Sequence, residues 1–574
     1  MSIQKIPNSQ KQIIQSNEGD YRGNLWSTFN IDLDSNLGVI KTSKRLDRYI
    51  GADTVSSEDI QALQIHDGNY YLATTSDVYR CNVNNDPRIE LNWPSVSTLG
   101  AEDLGFETDM TSFNGLLLIS LGTDIMSWDG STKNDDWWTT VAGGSALTVN
   151  KTHTLEVLRS GKDTLFITDG NRISYYNDDA AITIITVDSL LTTHCMTPSL
   201  DRMWVGAYTE VGNSGYVFEV QVGGTNIDGD PAYNQSYEVE GRVPLTMFTY
   251  RNTPFVITEQ GYIQAFNGAG FQTVAQFPWA DKSDLMAGAI AGQVQDTAIS
   301  RAIHPKGAKV KGKYCYIYVN TESGTNGEKI DPRSPSGVWV LNLETYSLTH
   351  RYALNNESTD LGVHTVQRSG PVIITNVPNT RIMVGGEIGS QTGVWMESDT
   401  ANQAYFTTVR HESNTLADSF EILAIKADTL GTDDSVEVKY KPVTRNNFPL
   451  TVTDITWLNE TQFTTTSDLT GVEIGDEIEI ILGHRSGNLA NITNINGEIT
   501  KTVTIDESYG VLNETSDIQI ERWKKVPIEY VVDEGEYKKF GIGVTAPAME
   551  YKVVLNGEVT VREIISKSNS KVEL

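Results

Sequence analysis

One motif recurs through the first four hundred residues of this chain. A short alternating strand is followed by a turn of Gly, Asn or Asp, and then by a second short strand. Tyr70-Tyr71-Leu72-Ala73-Thr74 with Asp77-Val78-Tyr79-Arg80-Cys81 is one instance. Thr164-Leu165-Phe166-Ile167-Thr168, the turn Asp169-Gly170-Asn171, and Ile173-Ser174-Tyr175-Tyr176 is another. Pro254 to Thr258 with Tyr262 to Phe266 repeats it, and Tyr314 to Val319 with Gly337 to Leu341 repeats it across a longer polar loop. Period-two alternation bounded by turn residues predicts half-buried antiparallel strands. The units fall near 57–100, 107–142, 150–190, 195–240, 243–280, 300–355 and 360–400. A spacing of about 40 to 55 residues is that of a four-stranded propeller blade. Each blade leaves one apolar face bare until its neighbour covers it, so six or seven would close a ring. A string of β-sandwiches competes with this reading, but sandwiches seldom repeat at so short a period. Named blade signatures are absent: Trp128-Asp129 stands alone, and Gly-Gly occurs irregularly at 143, 223 and 385.

The texture changes after residue 400. Phe420 to Lys426, Ser435 to Tyr440, Lys539 to Val544 and Tyr551 to Leu555 are longer alternating strands. Asn556-Gly557 followed by Val559 to Ile564 reads as a two-residue hairpin. These strands suit a β-sandwich over 401–446 and 522–566. Between its halves, 447–521 holds five or six short strands around Val452, Phe463, Ile478, Ile492, Val503 and Ile520. That is the size of a small closed β-barrel, inserted where a surface loop returns to its start. The expected architecture is all-β: a 1–55 arm, a six- or seven-bladed propeller over 56–400, the sandwich with its inserted barrel, and a 567–574 tail. Asp281 to Ile303 breaks the pattern and reads as a short helix from Ser283, or as an Ala/Gly-rich loop.

Charge narrows the function. Of the 574 residues, 44 are Lys or Arg and 74 are Asp or Glu, a net charge of −30. That argues against a general basic surface for nucleic acid and against docking on anionic lipid. No apolar run reaches membrane-spanning length, so no membrane insertion is expected. The opening Met1-Ser2-Ile3-Gln4-Lys5-Ile6-Pro7 lacks the apolar stretch of a signal peptide. Cys81, Cys195 and Cys315 are widely spaced beside apolar residues and read as packed thiols.

Candidate chemistry is sparse. The eight histidines show no metal-binding spacing, and there is no nucleophile elbow or phosphate loop. Asp32, Asp34 and Asn36 resemble the start of a calcium loop, but Leu37 stands where Gly is needed and Ser43 where an acidic ligand is needed. Asp228 and Asp230, beside Asn226, form a second acidic loop that turn chemistry alone explains. Trp137-Trp138 after Asp135-Asp136 suits either a sugar-stacking platform or packing between blades, and packing is the better reading. Arg522, Lys524, Lys525, Lys538, Lys539 and Lys552 are expected on a solvated or subunit-facing sandwich face. No catalytic, cofactor-binding or metal-ligating residue is assigned, and no cofactor is expected.

A propeller followed by a strand-rich closing domain is similar to the tail nozzle proteins of short-tailed bacteriophages, also called tail tubular protein B or packaged-DNA stabilisation protein. Asn24-Leu25-Trp26-Ser27 through Asn36 to Leu46 resembles the arm that precedes the propeller in such proteins. Tyr405, Phe420-Glu421-Ile422, Phe540-Gly541-Ile542 and Val553 to Ile564 resemble their closing domain. Val472 to Ile480 looks like a small barrel recurring in virion proteins. The resemblance implies a non-enzymatic virion protein made in the bacterial host cytoplasm. It implies a homo-oligomer, a hexameric ring, meeting other tail proteins. Viral DNA would pass through its lumen without sequence-specific binding, and an acidic lumen lets a duplex slide. A tail receptor- or glycan-binding protein and a propeller glycoside hydrolase or lyase are the alternatives.

Overall fold

The computed structural model describes residues 2–6, 25–32, 39–50, 60–97, 99, 108–148, 153–177, 182–209, 214–277, 303–319, 322–323, 328–329, 337–354, 369–375, 381–388, 391–401, 403–408, 411–412, 418–428, 430–431, 434–442, 450–480, 489–506, 518–521, 523–526, 529–531, 537–546 and 548–570. Asp34, Asn36 and the 281–302 stretch lie outside them.

Seven successive antiparallel sheets form the propeller. The first has three strands, Ala62–His66, Asn69–Ala73 and Val78–Asn82, with a bridge from Tyr79 to Ser95 in the outer position. The next five are four-stranded, with inner strands Met110–Phe113, Leu155–Ser160, Leu191–Ser199, Pro244–Tyr250 and Ala308–Lys311. The first two hairpins turn on Asp67-Gly68 and Asn114-Gly115, with both residues of each pair at positive φ. Such primed turns match the right-handed twist of the flanking strands. Apolar faces meet between blades, as where Phe255, Ile257, Cys315, Ile317 and Trp339 share one core. All three cysteines are buried and free.

The seventh blade takes Val372–Thr375, Arg381–Ile388 and Gln391–Ala401 from one end of the chain region, and its outer strand, Lys44–Ile50, from the other. Residues 1–55, expected as an arm preceding the propeller, are therefore not set apart. Ser2–Ile6, Ile31–Asp32 and Ile40–Thr42 join one sheet of the C-terminal sandwich, alongside Thr560–Ser570, Asp418–Ala427, Tyr537–Ala546 and Glu529–Val531. Leu25–Phe29 joins the other sheet, beside Ala404–Thr408, Ala548–Asn556 and Ser435–Pro442. Ile31, Phe406, Leu423, Tyr551, Val553 and Ile564 fill the space between the two sheets.

Asn556-Gly557 is not a hairpin turn. Ala548–Asn556 pairs with Ala404–Thr408 and Ser435–Pro442, whereas Thr560–Ser570 belongs to the opposite sheet. The dipeptide carries the chain from one sheet to the other. Asp434 fixes that crossing, with Oδ1 accepting the Glu558 amide at 3.0 Å.

Seven strands between Leu450 and Glu521 form the inserted barrel. Its sheet begins with Leu450–Val452 and ends with Thr456–Asn459, which adjoin in the chain, so the sheet curls back toward its start. Val452, Phe463, Ile478, Ile492, Val503 and Ile518 fill it. A buried ion cluster holds it to the sandwich: Lys439 and Lys552 of the sandwich both donate to Glu477 of the barrel. Lys552, expected on a solvated face, is therefore buried. Its ammonium also lies 4.1 Å from the centroid of the Tyr405 ring. Phe29 stacks on Tyr405 at 5.1 Å and on His350 of the sixth blade at 5.0 Å, which carries the contact from sandwich to propeller.

Candidate functional site

All seven inner strands run the same way, so their starts gather at one mouth of the propeller axis. Hydroxyls and amides lace neighbouring blades together there. Thr154 Oγ1 donates to the His194 carbonyl at 2.6 Å, from the third blade to the fourth. Thr246 Oγ1 donates to the Pro305 carbonyl at 2.8 Å, from the fifth to the sixth. The Val372 amide donates to the Lys306 carbonyl at 3.0 Å, from the seventh to the sixth.

Lys306 crosses the axis. It precedes the inner strand of the sixth blade, yet its ammonium donates to the Leu155 carbonyl of the third blade at 2.8 Å and to the Glu156 carboxylate. Asp109 Oδ2, in the second blade, lies 3.5 Å away. Asp109 is itself pinned, accepting the Leu155 amide at 2.7 Å and the Met110 amide at 2.8 Å. Burial opposes the charge on Lys306, but Asp109 and Glu156 outweigh it and hold its pKa above the ordinary lysine value. Burial pushes Asp109 up to about 6, against the pull of Lys306. Beside them, burial takes His304 down to about 3, helped by His194 and Lys306, so its ring is neutral. His304 Nδ1 accepts the Lys306 amide at 3.0 Å, which places the ring proton on Nε2.

The arrangement is a staple rather than a relay. A lysine ammonium has three donors, and this one faces two carboxylates and a carbonyl. With its pKa raised it stays protonated at neutral pH, which denies it a base's or nucleophile's role. It joins blades two, three and six at this mouth of the axis.

Asp32, Asp228, Asp230, Trp137 and Trp138 are not brought to this mouth, and of the eight histidines His304 and His194 are. Asp32 is committed to Arg351 at 2.9 Å, a contact between sandwich sheet and sixth blade. Asn226 Oδ1 accepts the amides of Asp228 and Asp230, each at 2.9 Å, so that loop is an Asn-capped turn. No group of three or more potential metal ligands occurs among the described residues. Trp137 and Trp138 are buried in a π-helical turn, where Asp124 accepts the Trp138 amide at 3.1 Å; they pack and offer no stacking platform. One contact escaped sequence spacing: His66 Nδ1 lies 2.5 Å from Ser112 Oγ, joining the first and second blades. Only the ring geometry brings these two together, so no local pattern could announce them.

No protein-family model matches this chain, and no curated protein matches it. Solved structures do. The Pan2 WD40 domain of Neurospora crassa is 7% identical, with 62% of this chain and 97% of that one covered at a TM-score of 0.37. A streptogramin B lyase structure is 7% identical, covering 62% and 97% at 0.39. BBS1N in complex with ARL6DN is 12% identical, covering 63% and 99% at 0.36. These are distant likenesses over the propeller-sized part of the chain, whose fold the sheet order establishes.

Proposed function

We propose that this chain is a structural subunit of a bacteriophage tail, forming a nozzle or tube ring around the DNA exit path and helping to retain packaged DNA. The observation that carries the scaffold role is the interlocking of the described strands of the first fifty residues with both bodies. They close the seventh blade and complete both sandwich sheets, so the propeller and sandwich cannot separate without breaking strand pairs. A part that must hold its shape under internal pressure benefits from such ties. The axis mouth, bridged by Lys306 and its partners, favours a scaffold over a propeller enzyme. The placement in a tail rests on the architectural resemblance, and the net charge of −30 suits a surface past which a duplex slides.

In this reading the subunits form a six-fold ring in the virion after synthesis in the host cytoplasm, and they meet other tail proteins end to end. The test is the mass of the purified protein by sedimentation velocity, with negative-stain images. A closed ring whose hole admits a duplex supports the reading. A compact trimer overturns it in favour of a receptor-binding tail protein, and a monomer that cleaves or binds glycans overturns it in favour of an enzyme or lectin.

A further inference from the structure

Charge is unevenly spread along this chain. Residues 447–521 hold thirteen acidic residues against two basic ones, Arg485 and Lys501, a net −11 of the total −30. On the barrel, exposed Ile499 (82%) stands beside exposed Glu498 at one end of the Lys501–Ile505 strand, and exposed Leu458 (57%) beside exposed Glu460 at the other. At each end an acidic side chain adjoins an exposed aliphatic one, which suits a basic, partly apolar partner.

The same chain carries such a partner surface. At the axis end opposite the Lys306 staple, the turns of the fifth and sixth blades present Arg251 and Lys313, and Lys309 and Lys311 lie in the inner strand that leads to the second turn. Contacts show that this is one patch. Glu344 lies 3.0 Å from Arg251 and 3.8 Å from Lys313, so the two turns adjoin. Arg251 and Lys313 lie over the rings of Tyr250 and Tyr314 at 5.0 and 5.3 Å. Two apolar side chains stand at its rim. Tyr346 is 38% exposed at φ 56°, and Leu200 of the fourth blade is 65% exposed at φ 57°. Bulky residues seldom hold a left-handed backbone, and such strain concentrates at surfaces that bind. Ser199 Oγ donates to the Asn252 carbonyl at 2.7 Å, which ties the Leu200 turn to the Arg251 turn.

We propose that this face of blades four to six is the docking surface for the acidic inserted barrel of a second copy of the chain. Two different surfaces on each copy then meet head to tail, the arrangement that generates rings when its rotation closes. The inference rests on the subunit reading above and gives it a specific contact. It also gives the inserted barrel a task. A nucleic acid is the less favoured occupant, because a duplex approaching this patch must do so against a chain of net charge −30.

The test is carbodiimide cross-linking of the full-length protein, with equal parts of ordinary and nitrogen-15-labelled copies. We expect mixed-label peptides joining Lys309, Lys311 or Lys313 to acidic residues of 447–521. The paired reversal Arg251→Glu with Lys313→Glu should reduce those links about tenfold or more. Mixing that variant with the barrel reversal Glu460→Lys and Glu498→Lys should restore them between unlike copies. A ring whose inter-copy links map elsewhere overturns this contact and leaves the subunit reading standing. The expected links in open chains or simple dimers support the contact and overturn the closed ring. Unchanged links in the face-reversed variant, with loss of binding to a labelled DNA duplex, overturn the contact and assign the patch to nucleic acid. No inter-copy link at any site overturns both.

Discussion

Lys439 and Lys552 sit directly opposite one another in antiparallel register, and both ammonium groups close on the single carboxylate of Glu477. Like charges facing across a strand pair repel, so this register is tolerated because the barrel supplies the counter-charge. Glu437, 3.7 Å from Lys439, adds a second one. Burial works against the charge on Glu477, yet the two lysines outweigh it and hold its pKa below the ordinary carboxyl value. Replacing one member of a buried ion cluster leaves its partners uncompensated, at about 3–5 kcal/mol. Glu477→Gln should therefore destabilise the sandwich and barrel by that order, read by urea denaturation. It should also admit protease to 442–450 and 521–525, the two connections to the barrel. Equal stability of the variant and the parent would show that the cluster does not hold the barrel in place.

Lys306 makes a parallel case on the propeller axis. Lys306→Met would leave Asp109 buried without its cation and open the link from the sixth blade to the third. A loss of about 3–5 kcal/mol is expected. Adding Asp109→Asn to Lys306→Met should recover part of it, because the uncompensated charge is then gone. A double variant no more stable than Lys306→Met alone would locate the damage in lost packing.

The blades were legible because they are local. Strand, turn and strand adjoin in sequence, and alternation broken by turn residues marks the hairpins, as at Asp67-Gly68 and Asn114-Gly115. What escaped was everything that pairs over long distances. Lys44–Ile50 finds its partner some 350 residues away, at Trp395 and Met396, and nothing in its letters names that partner. Asn556-Gly557 misled for a related reason: the dipeptide supplies positive φ to any sharp turn, and here the turn crosses between sheets. The axis staple was illegible because Asp109, Glu156 and Lys306 come from three blades and sit in unremarkable local sequence. Lys552 looked like a surface charge because its neutralising carboxylate belongs to the inserted barrel.

Two groups at the axis mouth should shape the pH dependence of stability in opposite senses. Asp109 titrates near 6 in the folded protein, above its unfolded value. Its contribution is present at low pH and is lost as pH rises from about 4 to about 6. His304 titrates near 3, below its unfolded value. Its contribution is present above about 6.5 and is lost as pH falls toward 3. Between pH 4 and 6 the two slopes oppose, each at most about 1.4 kcal/mol per pH unit. Asp109→Asn should expose the histidine slope, with stability falling as the pH is lowered from 6 to 4. His304→Gln should expose the aspartate slope, with stability falling as the pH is raised from 4 to 6. Urea unfolding at pH 4, 5, 6 and 7 reads both, and parallel pH profiles for the two variants would refute the assignment.

The closing strand of the seventh blade allows the two bodies to be separated by truncation. Removing residues 1–43 takes Ile31 and Ile40 out of the sandwich core and exposes the edge of Thr560–Ser570. It leaves Lys44–Ile50 in place against Gln391–Ala401. Removing residues 1–51 takes that strand as well and frees the outer edge of the seventh blade. The first truncation should weaken the sandwich while the propeller stays closed. The second should open the ring, because the seventh blade loses the strand that joins it to the start of the chain. Hydrogen exchange at Val394, Trp395 and Met396 distinguishes the two, since these residues are fully buried and paired with 47–50. Their amides should stay protected in the shorter truncation, and those that bond to 47–50 rather than to Arg381–Ile388 should exchange quickly in the longer one. Protection in both would mean that the blade closes without its distant strand, and the interlock that supports a scaffold role would then have no mechanical consequence for the propeller.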